Sequence, residues 1–324
     1  MRVFTVRCIS ARALIPINLA VLGFAFAQPV LAETPDDASR RDVITSEIVV
    51  RGKRGNGYAI DHTSTATRTG TELMDVPQSI QVVPRAVIDD QQLVDLTSVL
   101  RNVSGIQAGT NAGNRSESFT IRGFRSSYYA IDSIMLSPAV ETNDGYRDLA
   151  NVERIEVLKG PASVLYGRGD PGGLINIVTK QPRFENRVNF SLQGGSDSFK
   201  RGQFDITAPI DDGRTLAFRL IGAAQDGDTF RDVFEPFRRQ FAASSLLWQP
   251  SESTRVISSL TYLHQETQSD RGLVATPVAG TPDRVVDLPR DRYLGEAFAA
   301  LESSHYELNY RIEHDLTDWL TVRR

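Results

Sequence analysis

The sequence predicts a small α+β domain followed by an antiparallel β-sheet of about seven strands. Residues 71–180 mix short β-branched runs with one amphipathic helical stretch, which is typical of an α+β domain. From residue 187 onward, segments of roughly ten residues alternate between apolar and polar side chains, and turn residues separate them. The chain has 324 residues, of which 40% are hydrophobic, so it can bury a sizeable core.

The first 32 residues carry the features of an export signal. Three arginines and no acidic residue accompany an apolar run, Ala13–Ala27, and small residues ending at Ala27 and at Ala32 offer two cleavage sites. We therefore expect residues 1–32 to be a signal peptide. The apolar run is too short for a comfortable membrane helix, and no later segment approaches about 18 unbroken apolar residues. The mature protein is expected to have no membrane-spanning helix.

The composition argues against a disulfide-bonded protein, a metalloprotein and a nucleic-acid-binding protein. The single cysteine, Cys8, lies in the signal, so we expect no disulfide and no cysteine-bound metal in the mature chain. The four histidines lack the spacing of a metal site, and we expect no resident metal, no covalent cofactor and no catalytic residues. Removing the three signal arginines changes the formal net charge from −4 to −7, a balance that disfavours nucleic-acid binding.

A polar tail follows the signal and leads to one short strand-like run. Residues 33–46 are polar, contain Pro35 and show no periodic pattern, which indicates a mobile tail. Glu47–Gly52 reads EIVVRG, and a basic, glycine-rich stretch comes after it. From the residues alone, this run is compatible both with a first strand of the following domain and with a strand-forming segment inside the tail.

The α+β region contains one predicted helix and several predicted strands. Five apolar residues share one face of a helix predicted over Gln91–Val103, and Gly105 ends it. Pro161–Tyr166 is predicted to form a single helical turn. Strands are predicted at Ser79–Val83, Ser118–Phe124, Tyr128–Leu136, Arg154–Lys159 and Leu174–Lys180.

The second half of the chain is predicted to form strands with one apolar and one polar face. They are Arg187–Gly194, Arg201–Ile210, Arg214–Gln225, Arg239–Trp248, Thr254–His264, Ser304–His314 and a strand that starts at Trp319. A soluble sandwich shows the same alternation, so periodicity does not distinguish it from a membrane barrel. Connection length favours the barrel, because short turns such as 211–213 alternate with long connections at 226–238 and 266–303.

The stretch Gly167–Gly172 has the G-x-G-x-x-G spacing of a dinucleotide-binding loop. Such a loop follows a strand and opens a helix whose amides bind phosphate. Here an apolar β-branched run, Leu174–Thr179, follows the glycines, and Pro171 removes one amide donor. This context argues against a nucleotide site and indicates a glycine-rich turn.

Seven further short motifs follow one another between residues 76 and 176. They are VPQSI (76–80), VVP (82–84), LRNVSG (100–105), FTIRGF (119–124), RIEVLKGP (154–161), LYG (165–167) and PGGLIN (171–176). With these motifs, the whole chain resembles the N-terminal part of the TonB-dependent outer-membrane receptors, most closely their ferric-siderophore branch. The resemblance implies that the α+β region is a plug domain, that the glycine-rich stretch belongs to it, and that the alternating strands begin a transmembrane antiparallel β-barrel.

The resemblance also divides the chain. It implies a signal peptide at 1–32, a periplasmic tail at 33–62, a plug domain at 63–183 and the N-terminal portion of the barrel at 184–324. Residues 47–52 resemble a TonB box, in which Glu47, Ile48, Val49 and Val50 would pair with TonB in the periplasm. Barrels of this type need about 22 strands, so we expect the chain to be a truncated piece of a longer receptor.

The family resemblance implies uptake of an Fe(III)–siderophore complex across the outer membrane of a Gram-negative bacterium, without covalent chemistry. Arginine and tyrosine suit an anionic, hydroxyl-rich chelate, and we expect Arg115, Tyr128 and Tyr146 in plug loops to bind it. Arg122 and Lys159 resemble plug residues that pair with carboxylates of the barrel wall, and their partners are expected beyond residue 324.

Two alternatives remain from the sequence. The cargo of such a receptor could instead be cobalamin, haem or a glycan, which a binding test with each ligand would distinguish. An exported β-sandwich adhesin or enzyme would show the same alternating strands, but it would lack the ordered plug motifs and the strand-forming run in the tail.

Overall fold

In the computed structural model of this protein, the structure describes residues 58–109, 113–114, 117–126, 129–136, 147–167, 169–272, 277–285, 287–317 and 319–323. The predicted signal peptide and the 47–52 segment lie outside these residues. None of the helices in the described ranges is long and apolar enough to cross a membrane.

The first half of the described chain, called here the α+β domain, is built around a five-stranded mixed sheet. The strands of the whole domain are β1 (His62–Thr63), β2 (Thr71–Glu72), β3 (Ser79–Pro84), β4 (Ile106–Ala108), β5 (Phe119–Ile121), β6 (Phe124–Ser126), β7 (Tyr129–Ile131), β8 (Ile134–Met135), β9 (Val152–Lys159) and β10 (Gly173–Thr179). The sheet has the order β3-β9-β10-β7-β8, in which only β10 and β7 are parallel neighbours. A separate antiparallel sheet contains β4, β5 and β6, and β1 pairs with β2.

Three short α-helices accompany these strands: α1 (Arg85–Asp90), α2 (Leu96–Leu100) and α3 (Ser163–Tyr166). The predicted helical turn before Tyr166 is confirmed, but the helix predicted over Gln91–Val103 is reduced to α2. Gln92 has a positive φ of 54°, and the Asp95 carboxylate accepts a hydrogen bond from Ser98 N at 2.7 Å, which caps a helix that starts at Leu96. The apolar face is still buried, since α2 packs into the main core.

Two predicted strands are hairpins in the structure. The predicted Ser118–Phe124 strand turns at Arg122 (φ 50°) and Gly123 (φ 86°), and the predicted Tyr128–Leu136 strand turns at Asp132 (φ 47°) and Ser133 (φ 68°). Non-glycine residues rarely adopt positive φ, so the sequence gives little warning of these turns. The short strands on either side pair with each other.

The second half of the described chain forms a seven-stranded antiparallel sheet, called here the large sheet. Its strands, in spatial and chain order, are β11 (Arg187–Gly194), β12 (Lys200–Pro209), β13 (Leu216–Gly227), β14 (Phe237–Ser251), β15 (Thr254–Gln268), β18 (Ala300–Thr317) and β19 (Leu320–Arg323). The hairpin β16 (Pro277–Val278) and β17 (Thr281–Val285) lies in the long connection between β15 and β18. All seven predicted strands are confirmed, with shifts of a few residues at their ends.

The large sheet has an apolar outer face and an inner face on which buried charged and polar residues alternate with apolar ones. On β18, the outward side chains of Tyr306, Leu308 and Tyr310 are 75%, 74% and 54% exposed. The residues between them, such as Glu307 and Asn309, face the α+β domain and line a cavity beside it. This alternation follows the two-residue period of a strand and leaves a continuous apolar surface directed away from the domain.

The α+β domain packs against the inner face of the large sheet. Its main core contains Ile155, Val157, Ile175 and Ile177 of β9 and β10, which pack with α1 and α2. A smaller cluster joins the domain to the sheet, where Ala150 contacts residues of β13, β14 and β15: Ile221, Ala223, Phe241 and Leu263. The apolar part of this contact is small, so polar contacts carry much of the interface.

Candidate functional site

One end of the interface combines a turn of the α+β domain with the long connections of the large sheet. Asn114 Nδ2 donates to Gln268 O at 3.0 Å. A Cβ added to Gly113, whose φ is +76°, would lie 3.0 Å from Ser269 Oγ. These contacts place the domain against the end of β15, where the chain enters its longest connection. Arg115, which the sequence predicts to bind ligand, lies outside the described residues, as do Tyr128 and Tyr146.

Aromatic and arginine side chains cluster in the long connections at this end. The guanidinium groups of Arg231 and Arg290 lie 5.1 and 4.8 Å from the centre of the Phe230 ring. Phe234 and Tyr293 stack edge to face at 6.0 Å, and both phenylalanines are more than half exposed. Arg231 is mostly buried and pairs with Asp270 at 2.6 Å, whereas Arg290 is exposed, and an exposed arginine beside aromatic rings can hold a flat, anionic solute. The sequence analysis missed this cluster, because loop residues carry no periodic signal.

Buried ion pairs join the α+β domain to the inner face of the large sheet. Arg201 of β12 donates to Asp148 through two nitrogens at 2.7 and 2.8 Å, and Arg239 of β14 lies 3.8 Å from the same carboxylate. Burial alone would raise the pKa of Asp148, but the two arginines outweigh it and hold this pKa below its usual value. The carboxylate therefore stays charged and holds the domain to two strands.

A second buried set links the end of the domain to β12 and β13. Lys180 Nζ lies 2.9 Å from Asp205 Oδ2, and Arg219 donates to both Asp205 oxygens at 2.7 Å. Burial lowers the pKa of Lys180 to about 8, assisted by the charge of Arg85, while Asp205 acts in the opposite direction. Lys180 of the α+β domain and Arg219 of the large sheet thus pair with the same carboxylate, Asp205.

Arg122 and Lys159 lie on a different side of the domain. Lys159 Nζ donates to Gln81 Oε1 at 2.9 Å and to Ser104 Oγ at 2.8 Å, and Arg122 Nη1 donates to Lys159 O at 3.3 Å. Within the described ranges neither side chain forms a salt bridge, so the expected pairing with wall carboxylates stays a prediction. One set of ion pairs between the α+β domain and the large sheet has the opposite polarity to the expected one. In it the acidic residue, Asp148, belongs to the domain, and the basic residues, Arg201 and Arg239, belong to the sheet.

Glu156 anchors the start of the described chain to the five-stranded sheet. Its side chain is fully buried, and its Oε2 accepts hydrogen bonds from Thr63 Oγ1 at 2.6 Å, Thr65 N at 3.0 Å and Ser64 N at 3.2 Å. Arg154 Nε donates to the other carboxylate oxygen at 2.6 Å. Burial would raise the pKa of Glu156, but the threonine hydroxyls and Arg154 hold it below its usual value.

Glu117 connects α2 to the chain that enters β9. One carboxylate oxygen accepts hydrogen bonds from Thr97 N at 3.2 Å and Thr97 Oγ1 at 3.1 Å, and the other accepts from Arg147 N at 3.3 Å. Burial and the nearby Asp95 raise the pKa of Glu117 to about 7, while Arg239 acts in the opposite direction. No sequence signal pointed to Glu117, since its partners are distant along the chain.

The glycine-rich stretch is structural. Strand β10 follows the glycines, as predicted, and a Cβ on Gly172 would clash with the backbone oxygen of Ile121. Gly173 has a φ of +150° and lies equally close to the Leu158 backbone. In the described part of the chain, no group of three or more His, Cys, Asp or Glu side chains is arranged to hold a metal ion.

Comparisons with known proteins agree with this architecture. The family model described as the TonB-dependent receptor plug domain matches residues 72–174. The metal-pseudopaline receptor CntO of Pseudomonas aeruginosa is 31% identical over 93% of this chain and 42% of its own length. The ferrichrome outer membrane transporter/phage receptor of Escherichia coli is 29% identical over 82% of this chain and 36% of its own length.

The solved structures include a similar receptor. The ferric-catecholate import receptor Fiu of E. coli superposes with a TM-score of 0.73 at 28% identity, over 82% of this chain and 38% of that chain. The chain spans about two fifths of the length of these relatives. The ordered motifs, the α+β domain and the antiparallel sheet that it packs against all match, and the chain belongs to the family of TonB-dependent receptors.

Proposed function

We propose that the chain is the N-terminal part of an outer-membrane receptor that takes up ferric siderophores with energy from TonB. The observation that carries this proposal is the α+β domain, which matches the plug family and is held by buried ion pairs on the inner face of a sheet with an apolar outer face. Such a sheet fits a lipid bilayer, and such a domain fits the interior of a barrel. Relatives named for ferrichrome, ferrioxamine and pyoverdine support the cargo class.

In this proposal the chain has four segments. Residues 1–32 direct export to the outer membrane, residues 33–62 form the periplasmic tail, residues 63–183 form the plug, and residues 184–324 begin the barrel. The chelate binds outside, with Arg115, Tyr128 and Tyr146 of the plug loops among its contacts. TonB pairs with Glu47–Val50 and pulls, and the plug rearranges so that the chelate passes. Binding and movement suffice, and no bond of the chelate is broken.

A chelate of another metal is the second candidate cargo, because one relative is named a metal-pseudopaline receptor. Metal-starved cells with and without the receptor gene distinguish the two. The experiment measures uptake of ⁵⁵Fe-labelled ferrichrome, ferrioxamine B and ferripyoverdine, and uptake of zinc, nickel and cobalt chelates in parallel. We expect receptor-dependent and TonB-dependent uptake of at least one iron chelate. Uptake confined to the other metals would replace the iron assignment, and uptake of none would overturn the transport proposal.

A further inference from the structure

Two long connections of the large sheet contact each other. The 228–236 connection joins β13 to β14, and the 287–299 segment forms the last part of the connection from β15 to β18. Asp232 N donates to Asp291 O at 2.9 Å, so the two backbones are adjacent. Surface loops are usually more mobile than the strands that they join, and a contact between two of them limits the movement of both.

Arg231 links these connections through its side chain. Its Nη1 donates to Arg290 O at 3.1 Å and to Arg292 O at 2.9 Å. Its Nε lies 2.6 Å from Asp270 Oδ2, just past the end of β15, and 11% of its side chain is exposed. Hydrogen bonds from a charged donor are roughly twice as strong as neutral ones, so this guanidinium group determines how the two connections meet.

The end of β15 joins the same segment to the α+β domain. Tyr293 Oη donates to Ser269 O at 2.9 Å, and the buried Gln268 donates through Nε2 to Glu296 O at 2.9 Å. The backbone oxygen of Gln268 accepts the hydrogen bond from Asn114 Nδ2 of the domain. Gln268 therefore contacts the domain on one side and the long connection on the other.

The contacts of Arg231 hold an exposed aromatic surface in one arrangement. Arg290 lies over Phe230, and Tyr293 packs edge to face against Phe234. Each of these two pairs takes one residue from each connection, so both pairs exist only while the connections stay together. A surface that is fixed before binding loses less conformational entropy when a solute binds to it.

We propose that Arg231 is a positioning residue for chelate binding, and that it fixes the two connections against each other before a chelate arrives. The proposal rests on the transport function above and adds how the outer binding surface is built. Arg231 is mostly buried and its charge is paired with Asp270, so it acts through the exposed pairs rather than by touching the chelate. In this arrangement the chelate meets Phe230 and Phe234, which are more than half exposed.

Tryptic cleavage after the exposed Arg292 measures the contact directly. The carbonyl that trypsin attacks there is the one that accepts a hydrogen bond from Arg231. In purified receptor without chelate, Arg231→Met should make this cleavage about tenfold faster, the size expected for one lost charge-assisted hydrogen bond. Asp270→Asn, which removes only the ion pair, should accelerate it about threefold. Arg238→Met is the matched control, since Arg238 pairs with Asp226 and Glu266 within the large sheet.

A second arm measures chelate binding to energy-depleted cells with equal receptor levels. The probes are ⁵⁵Fe-labelled ferrichrome, ferrioxamine B and ferripyoverdine. For a probe that the wild type binds, Arg231→Met should raise Kd about tenfold, as expected if about a tenth of the variant molecules keep the fixed arrangement. The number of binding sites, and the uptake rate of energised cells at saturating chelate, should stay unchanged. A merely structural role would lower the number of sites and leave the Kd of the remaining sites as it was.

Equal cleavage after Arg292 in the wild type and Arg231→Met would overturn the proposal, because the connections would then be held without this side chain. Faster cleavage with an unchanged Kd would also overturn it. Bound chelate should change wild-type cleavage by less than about twofold, and a tenfold slowing would show that the connections close only on binding, against the proposal. If the wild type binds none of the probes, the transport function fails instead, and the cleavage contrast alone decides whether Arg231 holds the connections together.

Discussion

The Asp148 carboxylate forms ion pairs with two arginines of the large sheet, Arg201 and Arg239, and all three side chains are buried. A buried ion pair stabilises a fold little more than well-packed apolar side chains would. Removing one partner, however, leaves the other charges buried and unpaired. The contact is therefore a geometric constraint, since it fixes where the domain sits on β12 and β14.

We predict that Asp148→Asn destabilises the folded receptor by about 3–5 kcal/mol, because Arg201 and Arg239 lose their counter-charge in a buried place. The measurement is the unfolding midpoint in detergent, followed by the protease sensitivity of the α+β domain. Glu153→Gln is the matched control, since Glu153 pairs with Arg183 at 3.3 Å at the surface, where such pairs contribute about 0–1 kcal/mol. Equal midpoints for the two variants would contradict the prediction.

The raised pKa of Glu117 predicts that the stability of the α+β domain depends on pH. Its folded pKa of about 7 lies above its ordinary value of 4.5, so folding favours the protonated form. This contribution is fully present below pH 4.5 and is lost as the pH rises through about 7. We expect the free energy of unfolding of the α+β domain to fall by up to roughly 3 kcal/mol across this window.

Glu117→Gln should remove this slope, because glutamine does not titrate and still accepts a hydrogen bond from Thr97. Denaturant unfolding at several pH values between 5 and 7.5 measures it. A slope that is the same in the variant and the wild type would assign the effect to other carboxylates.

At the scale of elements, the Glu156 carboxylate accepts most of the hydrogen bonds that attach the chain from β1 to β2 to the five-stranded sheet, and Ala66 adds an apolar contact. Four backbone or hydroxyl groups of Thr63, Ser64 and Thr65 donate hydrogen bonds to Glu156, and Tyr166 and Asn176 donate hydrogen bonds to Thr65. This segment leads from the expected TonB box into the plug, so its attachment determines how a pull on the tail reaches the sheet.

We predict that Glu156→Gln loosens residues 62–72 while the rest of the domain keeps its fold. A neutral amide accepts weaker hydrogen bonds than a carboxylate, and charge-assisted bonds contribute about 1.5–3 kcal/mol each. Tryptic cleavage after the exposed Arg68 should become faster, and hydrogen exchange of the 62–72 amides should rise. Glu153→Gln is again the control. Unchanged cleavage after Arg68 in Glu156→Gln would show that β1 and β2 hold the segment without this carboxylate.

Some elements could be predicted from the sequence and others could not. Most strands of the large sheet were predictable within a few residues, because they are long and their side chains alternate between two different environments. The turn at Asp132 was missed because its positive φ values occur at Asp132 and Ser133, and no glycine marks it; the turn at Arg122 contains Gly123, but one glycine within an apolar run does not by itself indicate a hairpin. The ion pairs were beyond reach, since Arg201 and Asp148 are separated by 53 positions and meet only in the folded chain.

At the scale of the whole molecule, the outer face of the large sheet is where the proposed function places the membrane boundary. The outward residues Asp226, Arg238, Glu266 and Glu302 lie in one row across four strands, at the end that carries the long connections. The apolar surface begins below this row with Tyr262 and Tyr306, whose rings lie 5.0 Å apart. Aromatic residues next to a polar row are typical of a barrel at the edge of the bilayer. In the proposed receptor, the end of the sheet that carries the long connections faces the outside.

This arrangement gives the TonB box a testable role, which stays a prediction because residues 47–52 lie outside the described part of the chain. Val49→Pro should abolish energy-dependent uptake and leave surface binding of the chelate unchanged, because proline removes a backbone donor from a segment that pairs as a strand. Val43→Pro is the matched control, since it makes the same change in the tail outside the box. The measurement is ⁵⁵Fe-chelate binding and uptake in cells with equal receptor levels. Wild-type uptake by Val49→Pro would exclude residues 47–50 as the pairing segment, and loss of uptake in both variants would place the requirement in the tail as a whole.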